Sequence, residues 1–492
     1  MSGAEFGSGD VAETDDILPL RERILANPRP ALLWLFAGVF LLALQFGMVV
    51  DGIVQRVPWD PILVVPGASI LLAVGEWFAD LPVLLSKETI PNQGYYVPGE
   101  GWQGTFLGLS PGVAWGIRTF LVYVYAFTWT YWVWKGYMLF RNEYRYADWT
   151  PRDDMVNRMR THRWGQFGLV IVVVFLTMAL FAPVVSPTTF DANHDNPYGH
   201  TMEYYDESAG EIVEVTVGQA NAHSTSEGAG PNNVGPMSYD DYDRFAPFGT
   251  LHDGKDLFTF MAFGSRVSLA IGVLAIGLSG VIAAGLALGT AYYKGRVDLG
   301  AVLVGDSIQA MPRLLLIIML SVVLGGTWLA DIFSGGLVLA LIFAATGWPG
   351  LWRSVRGPAF QVAEQEWIDA AKSYGQRPGT TMKKHMLPYI LGYLLVYSSM
   401  SLGGVIVGVA GLSFLGLGVS APTPEWGRAI DYGQAYVASP SWHISLIPGF
   451  CIVLVVTAFN ALGDGIRDAI DPKSEASSAH DEAAAGATGG GA

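Results

Sequence analysis

Cysteine is nearly absent from this chain: Cys451, set in an apolar run, is the single one. It cannot form an internal disulfide, and no redox or thiolate–metal constellation can be built from it, so it reads as a small core residue. Charge is also scarce. Asp, Glu, Lys and Arg make up 14% of the 492 residues, against about a quarter in an average soluble domain. Lysine is scarcest, with 8 in all. The 43 acids outweigh the 28 Lys and Arg and leave a formal net charge of −15. That excludes nucleic acid as a partner, because phosphate binding needs clustered basic side chains. Acid excess with little Lys suits concentrated salt and points to a halophilic source. The first 16 residues are acidic and Gly-rich. They lack a basic region leading into an apolar core, so no cleavable signal peptide is expected and the first apolar stretch should remain as an anchor. No Ser/His/Asp, zinc-ligand or paired-carboxylate arrangement stands out, and no catalysis is assigned.

What the chain has in plenty is apolar length. Apolar residues reach 51%, with 16 Trp and 60 Gly, and the mean hydropathy is +0.36. About 20 apolar residues cross a bilayer as a helix. Candidate spans are 31–50, 61–82, 113–139, 164–186, 267–292, 300–325, 335–351, 389–412 and 443–465. Helix is the spanning form these runs can take, because it satisfies its own backbone. The expected fold is an all-α polytopic protein of the cell membrane.

Basic residues orient the spans. Arg141, Arg145, Arg152, Arg158, Arg160 and Arg163 place 140–163 in the cytoplasm. The loop 187–246 holds eleven acids and Arg244 as its one Lys or Arg, which fits the outside. Arg353, Arg356, Lys372, Arg377, Lys383 and Lys384 return 352–388 to the cytoplasm. The six spans from 164 onward close consistently. The N-terminal part does not: with Arg21, Arg23 and Arg29 inside, an even number of crossings should precede 140–163, yet three apolar runs do. Pro61, Pro66, Glu76 and Asp80 make 61–82 the run expected not to cross; an outside N-terminus is the alternative. The loop 187–246 reads as a solvated excursion or a small β-rich cap. Trp and Tyr around 128–137 read as an interfacial aromatic belt.

The segment Glu364–Gly375 carries the most information. Trp367, Ala370, Ala371 and Tyr374 fall at i, i+3, i+4 and i+7 on one face of a short helix. Gly375 stands where a helix-ending glycine belongs, and Pro378 prevents continuation. The segment resembles the EAA loop of ABC importer permeases: Asp369-Ala370-Ala371, Gly375, then Leu387-Pro388, with Asp369 for the usual Glu. His385 before Met386-Leu387-Pro388 is similar to the dipeptide/oligopeptide/nickel branch. The likeness extends over about 247–473. It takes in Phe248-Gly249-Thr250 with Gly254-Lys255-Asp256, Ser265–Leu269, Leu412–Gly418 with Pro422–Gly427, and Asn460–Pro472. The second, C-type permease of such importers is the subunit it resembles most.

The resemblance implies a six-helix type I ABC importer core plus two or three extra N-terminal membrane helices. The expected division is a cytoplasmic tail over 1–30, extra membrane segments over 31–139, a basic linker over 140–163 and a first core helix over 164–186. An acidic extracellular loop follows over 187–246, then a permease core over 247–472 with its coupling helix at 364–375, and a disordered tail over 473–492. It implies as partners a second homologous permease, two cytosolic ATPase subunits, an extracellular solute-binding protein and the lipid bilayer. Glu366, Trp367, Asp369, Ala370, Ala371, Tyr374, Gly375, Leu387 and Pro388 would form the ATPase-docking site. No cofactor or metal is expected on this chain; ATP and Mg would be bound by the ATPase subunits. Peptides are the expected solute, with nickel and sugars as relatives' alternatives, and a secondary ion-coupled carrier as the rival class.

Two further features need weighing. Gly249–Asp256 reads GxxxxGK, but Asp256 stands where a P-loop needs Ser or Thr for magnesium, so nucleotide binding is not expected. Asp306 and Arg313, seven apart in the run 300–325, are ionisable groups at membrane depth. They read either as part of the translocation path, with Arg313 meeting a substrate carboxylate, or as a structural ion pair with each other or with the partner permease.

Overall fold

The computed structural model describes residues 18–47, 50, 68–79, 83, 85–147 and 150–470. The tail over 473–492, residues 1–17, and 61–67 with 80–82 lie outside the described residues. Within 61–82 the described part is a helix of 12 residues, Ala68–Ala79, short of a bilayer crossing. Among the described residues five helices are long and apolar enough to span: Arg163–Leu180, Leu257–Tyr293, Trp328–Ala363, Pro378–Phe414 and His443–Ile470. Two bent pairs would add to them, Leu20–Ala26 with Pro28–Ala43 and Gly295–Ala310 with Arg313–Gly325. Pro111–Leu139 is long enough at 29 residues but is not among the five by composition.

The chain forms two compact units, one from residues 1–84 with 125–151 and the other from 85–124 with 152–492. In the first, helix Pro28–Ala43 begins at the break its sequence demands: Pro28 lacks an N–H and restrains Asn27 from helical geometry. Its Trp34 stacks on Trp132 with ring centroids 4.1 Å apart. Each indole N–H donates to the other residue's carbonyl, at 3.0 and 2.9 Å. Glycines make the room. A Cβ on Gly38 would stand 2.5 Å from the Trp132 ring, and one on Gly136 2.7 Å from the Trp34 ring. Part of the expected aromatic belt is therefore a packing seam.

The second unit carries three apolar clusters. Helix Arg163–Leu180 crosses His443–Ile470 where Gly165 faces Gly465 and Gly168 faces Ala458 and Ala461, so the backbones approach closely. The helix Leu257–Tyr293, 37 residues long and so roughly 55 Å, lays Ala283, Ala287 and Ala291 into a cluster with Leu351, Trp352 and Val355 of helix Gly336–Ala363. Higher up, Ile271 and Ala275 pack with Leu339 and Phe343.

The expected span 300–325 is a bent pair. Gly295–Ala310 and Arg313–Gly325 are two helices bent by 88°. Met311, held extended before Pro312, is the cause. The loop 187–246 takes the β-cap form of the two expected. Thr201–Asp206 pairs with Glu211–Thr216, helix Val217–Ala222 opens with a Thr216/Gln219 capping box, and Ser238–Tyr239 pairs with Phe245–Ala246.

Candidate functional site

Residues 364–375 fold as the sequence predicts, with the helix at Glu366–Ser373. Gly375 ends it at φ +72°. Its N–H donates to Lys372 O and the Gln376 N–H to Ala371 O, at 2.9 and 3.0 Å, the paired bonds of a left-handed glycine terminus. Trp367 is 53% exposed and Tyr374 93%. Glu366, Asp369 and Ala370 are exposed beside them, and Ala371 is half-buried. Ile368, which the sequence reading passed over, is fully buried. It packs among Val362, Ala363, Met386 and Ile390. The helix is thus anchored by one aliphatic side chain and presents its aromatic–alanine face to solvent. Leu387 and Pro388 lie beyond this helix. They open helix Leu387–Phe414, Leu387 against the same cluster and Pro388 where its missing N–H is not needed.

Polar ties bind this helix to its neighbours. Lys294 meets Glu364 at 3.4 Å. Lys372 reaches Asp369 at 3.2 Å and stands over the Tyr292 ring at 5.3 Å. On the helix that leads to it, Arg356 grips Asp298 through two nitrogens, at 2.8 and 2.5 Å, and Arg353 pairs with Asp306. The expected Asp306–Arg313 ion pair does not form within the chain. The break at Met311–Pro312 removes the shared helix face, and Asp306 turns to Arg353 instead. Arg313 is exposed, its guanidinium 4.0 Å from the Cβ position of Gly347.

The remaining motifs prove to be joints. Trp426 is 1% exposed and donates to Met261 O at 2.8 Å. A Cβ on Gly427 would strike Ala410 O at 1.8 Å. Glu425 is fully buried. It accepts from the Gly427 N–H at 2.7 Å and the Ser268 hydroxyl at 3.2 Å, and burial pushes its carboxyl up. In the GxxxxGK stretch, Gly254 at φ +77° leaves no space for a Cβ, which would lie 1.8 Å from Asn221 O. Asp256 caps the helix that follows by accepting from the Thr259 N–H at 2.6 Å. This is a turn and a cap, with no phosphate cradle. Arg118 was missed, though an ionisable residue inside an apolar run is a signal. It is fully buried and donates to Val184 O, Ile90 O, Asn92 Oδ1 and Ser186 O at 2.7–3.0 Å. Among the described residues no group of three or more His, Cys, Asp or Glu could hold a metal.

The family described as "Binding-protein-dependent transport system inner membrane component" matches residues 278–475, and "N-terminal TM domain of oligopeptide transport permease C" matches 150–201. The dipeptide transport system permease protein of Bacillus subtilis (strain 168) is 30% identical over 323 residues, 65% of this chain and 85% of the relative. The chain belongs to the binding-protein-dependent transport permeases. A second dipeptide permease, from Alkalihalophilus pseudofirmus, is 29% identical over 335 residues, 67% of this permease and 93% of the relative. The glutathione transport system permease protein of Shigella dysenteriae serotype 1 is 37% identical over 244 residues, 48% of this permease and 77% of the relative. The permease is a multi-pass membrane subunit of an ATP-driven importer, and ATP hydrolysis resides in separate subunits. The matched family stretches begin at residue 150, so the permease carries a long N-terminal part outside them.

Proposed function

We propose that this permease forms, with a second homologous permease, the path by which short peptides enter the cell. The solute class rests on the relatives, which are named for dipeptides and glutathione. The observation that carries the coupling mechanism is the helix Glu366–Ser373. Its Trp367/Ala370/Ala371/Tyr374 face is open while Ile368 is rooted in the core. Such a face has no cover within the described residues and suits a cleft of a cytosolic ATPase. Two such ATPases, binding ATP and Mg, would close on ATP and carry the docked helices with them. Lys294–Glu364 and Arg356–Asp298 would pass that displacement into the membrane helices. An extracellular binding protein would deliver the solute, and each ligand shifts the two-state gate by its differential affinity alone. The acid-rich composition fits operation in concentrated salt.

The test is co-purification with the ATPase, followed by cross-linking from Trp367→Cys or Tyr374→Cys in a Cys451→Ser background. Cross-links to the ATPase, together with loss of labelled dipeptide uptake in Ala371→Glu at normal membrane insertion, are expected. Absence of cross-links with normal uptake in Ala371→Glu would overturn the docking role.

A further inference from the structure

At the Asp256 end of helix Leu257–Tyr293, and so at the opposite end from Tyr292 and the coupling helix, lies a cavity of about 380 Å³. That size falls within the roughly 300–1,000 Å³ of small-molecule sites. One wall comes from Asn92–Tyr95 and Gly104, the other from the cap between Pro187 and Asp256. Thr250, Gly254 and Asp256 belong to the stretch that resembles the permease core, and most of the remaining lining falls outside the two family-matched stretches.

Its charge is mainly negative, with Arg244 and Lys87 as the cations whose fields reach Asp256. Glu203, Asp240, Asp243 and Asp256 line it, and Arg244 is the one Lys or Arg among the lining residues. Arg244 is spent on the wall itself: it donates to Asp240 at 2.7 Å, to Asn221 at 2.7 Å and to Ser224 at 3.1 Å. His200, also in the lining, is held by Asp191 at 2.6 Å. Asp243 has a single hydrogen bond, from the Tyr96 N–H at 2.8 Å. Asp256 is the decisive group. It is 7% exposed, one carboxylate oxygen caps the helix, and the other, Oδ1, has no hydrogen-bond partner among the described residues. A buried acceptor left without a donor is destabilising, the more so when it is charged, and is relieved by a ligand that brings N–H groups and positive charge. Phe245, Ala246 and Val217 in the same lining give an apolar surface beside it. No set of carboxylates converges as a metal would require among the described residues, which favours an organic cation.

We propose that this cavity binds the ammonium end of a small organic solute, with Asp256 as its counter-ion and Asp243 and Glu203 as the surrounding field. A short peptide has that ammonium, and the importer reading given above supplies it; binding itself does not depend on that reading.

The experiment titrates the full purified chain in lipid nanodiscs with dialanine and with N-acetyl-dialanine by calorimetry. Saturable binding of dialanine and at least tenfold weaker binding of the acetylated form are expected. Asp256→Asn keeps a helix-capping acceptor and should weaken dialanine at least tenfold at an unchanged melting midpoint. Should that variant fail to fold, the Asp243→Asn/Glu203→Gln double variant is expected to weaken binding at least threefold. Equal binding of the acetylated probe, undiminished binding in the variants, or no saturable binding overturns the proposal. So does stabilisation by potassium chloride with no binding of dialanine, which marks an inorganic-cation site. Intact uptake without dialanine binding removes this site and leaves the importer reading standing; failed cross-linking with intact binding does the reverse.

Discussion

Arg118 and Gly375 show how single residues hold this permease together. Arg118 has no carboxylate partner among its hydrogen bonds; three backbone carbonyls and the Asn92 amide oxygen solvate it. A lysine cannot reproduce that fork. Arg118→Lys should leave carbonyls unpaired and cost about 3 kcal/mol, read as a lower unfolding midpoint in detergent. At Gly375 nothing lies near the Cβ position, so space is not the constraint; the φ of +72° is. Gly375→Val should cost about 1–2 kcal/mol through backbone strain. It should fray the helix Glu366–Ser373 and, if that helix docks the ATPase as proposed, lower uptake while insertion stays normal. Lys87 donates to Thr188 O. Burial, then the Arg118 charge, depress its ammonium to about 7, against a smaller opposing pull from Asp256. Between pH 7 and 10 the folded state therefore binds fewer protons than the unfolded one, so stability should rise with pH across that window. The rise should flatten in Lys87→Met, as followed by thermal melts at stepped pH. Gly375 and the Trp367/Ala370/Ala371/Tyr374 face were legible in the sequence because helix period and terminus chemistry are local. Arg118's ligands come from 26 to 68 residues away, and no local pattern carries that.

Elements pack here through small residues, and the pairing of one helix with another is where prediction from the chain weakens. Gly38 and Gly136 exist to admit Trp132 and Trp34. Gly136→Val should drive the rings apart at about 1–3 kcal/mol of overpacking, seen as a change in Trp fluorescence. The break at Met311–Pro312 separates Asp306 from Arg313 and sends Asp306 to Arg353. The proline was visible, but the 88° turn depends on how the two short helices pack afterwards. The Asp298–Arg356 pair, part-buried and held through two nitrogens, should show a coupling energy of about 1 kcal/mol in a double-mutant cycle. That coupling should shrink as salt is raised.

At the scale of the molecule, the helix Leu257–Tyr293 ties a polar cap at its first residue to the helix Glu366–Ser373 near its last. Its length exceeds a bilayer's hydrocarbon core of about 30 Å. A variant disturbing the Asp256 end should change solute binding and leave ATPase docking intact, and one disturbing 366–374 should do the opposite. Uptake, cross-linking and calorimetry on the same preparations separate the two.

Composition and apolar run length by themselves determined that this chain is a helical membrane protein, since a bilayer admits few solutions to backbone hydrogen bonding. Helix period and the glycine terminus likewise set the short helix Glu366–Ser373, because those signals act within one or two turns. Which side chains meet was decided in three dimensions. The Trp34–Trp132 seam, the carbonyl cage around Arg118, the Asp306–Arg353 pair and the acid-lined cavity all join residues far apart in sequence. Their partners are chosen by packing and burial, which a linear pattern does not encode.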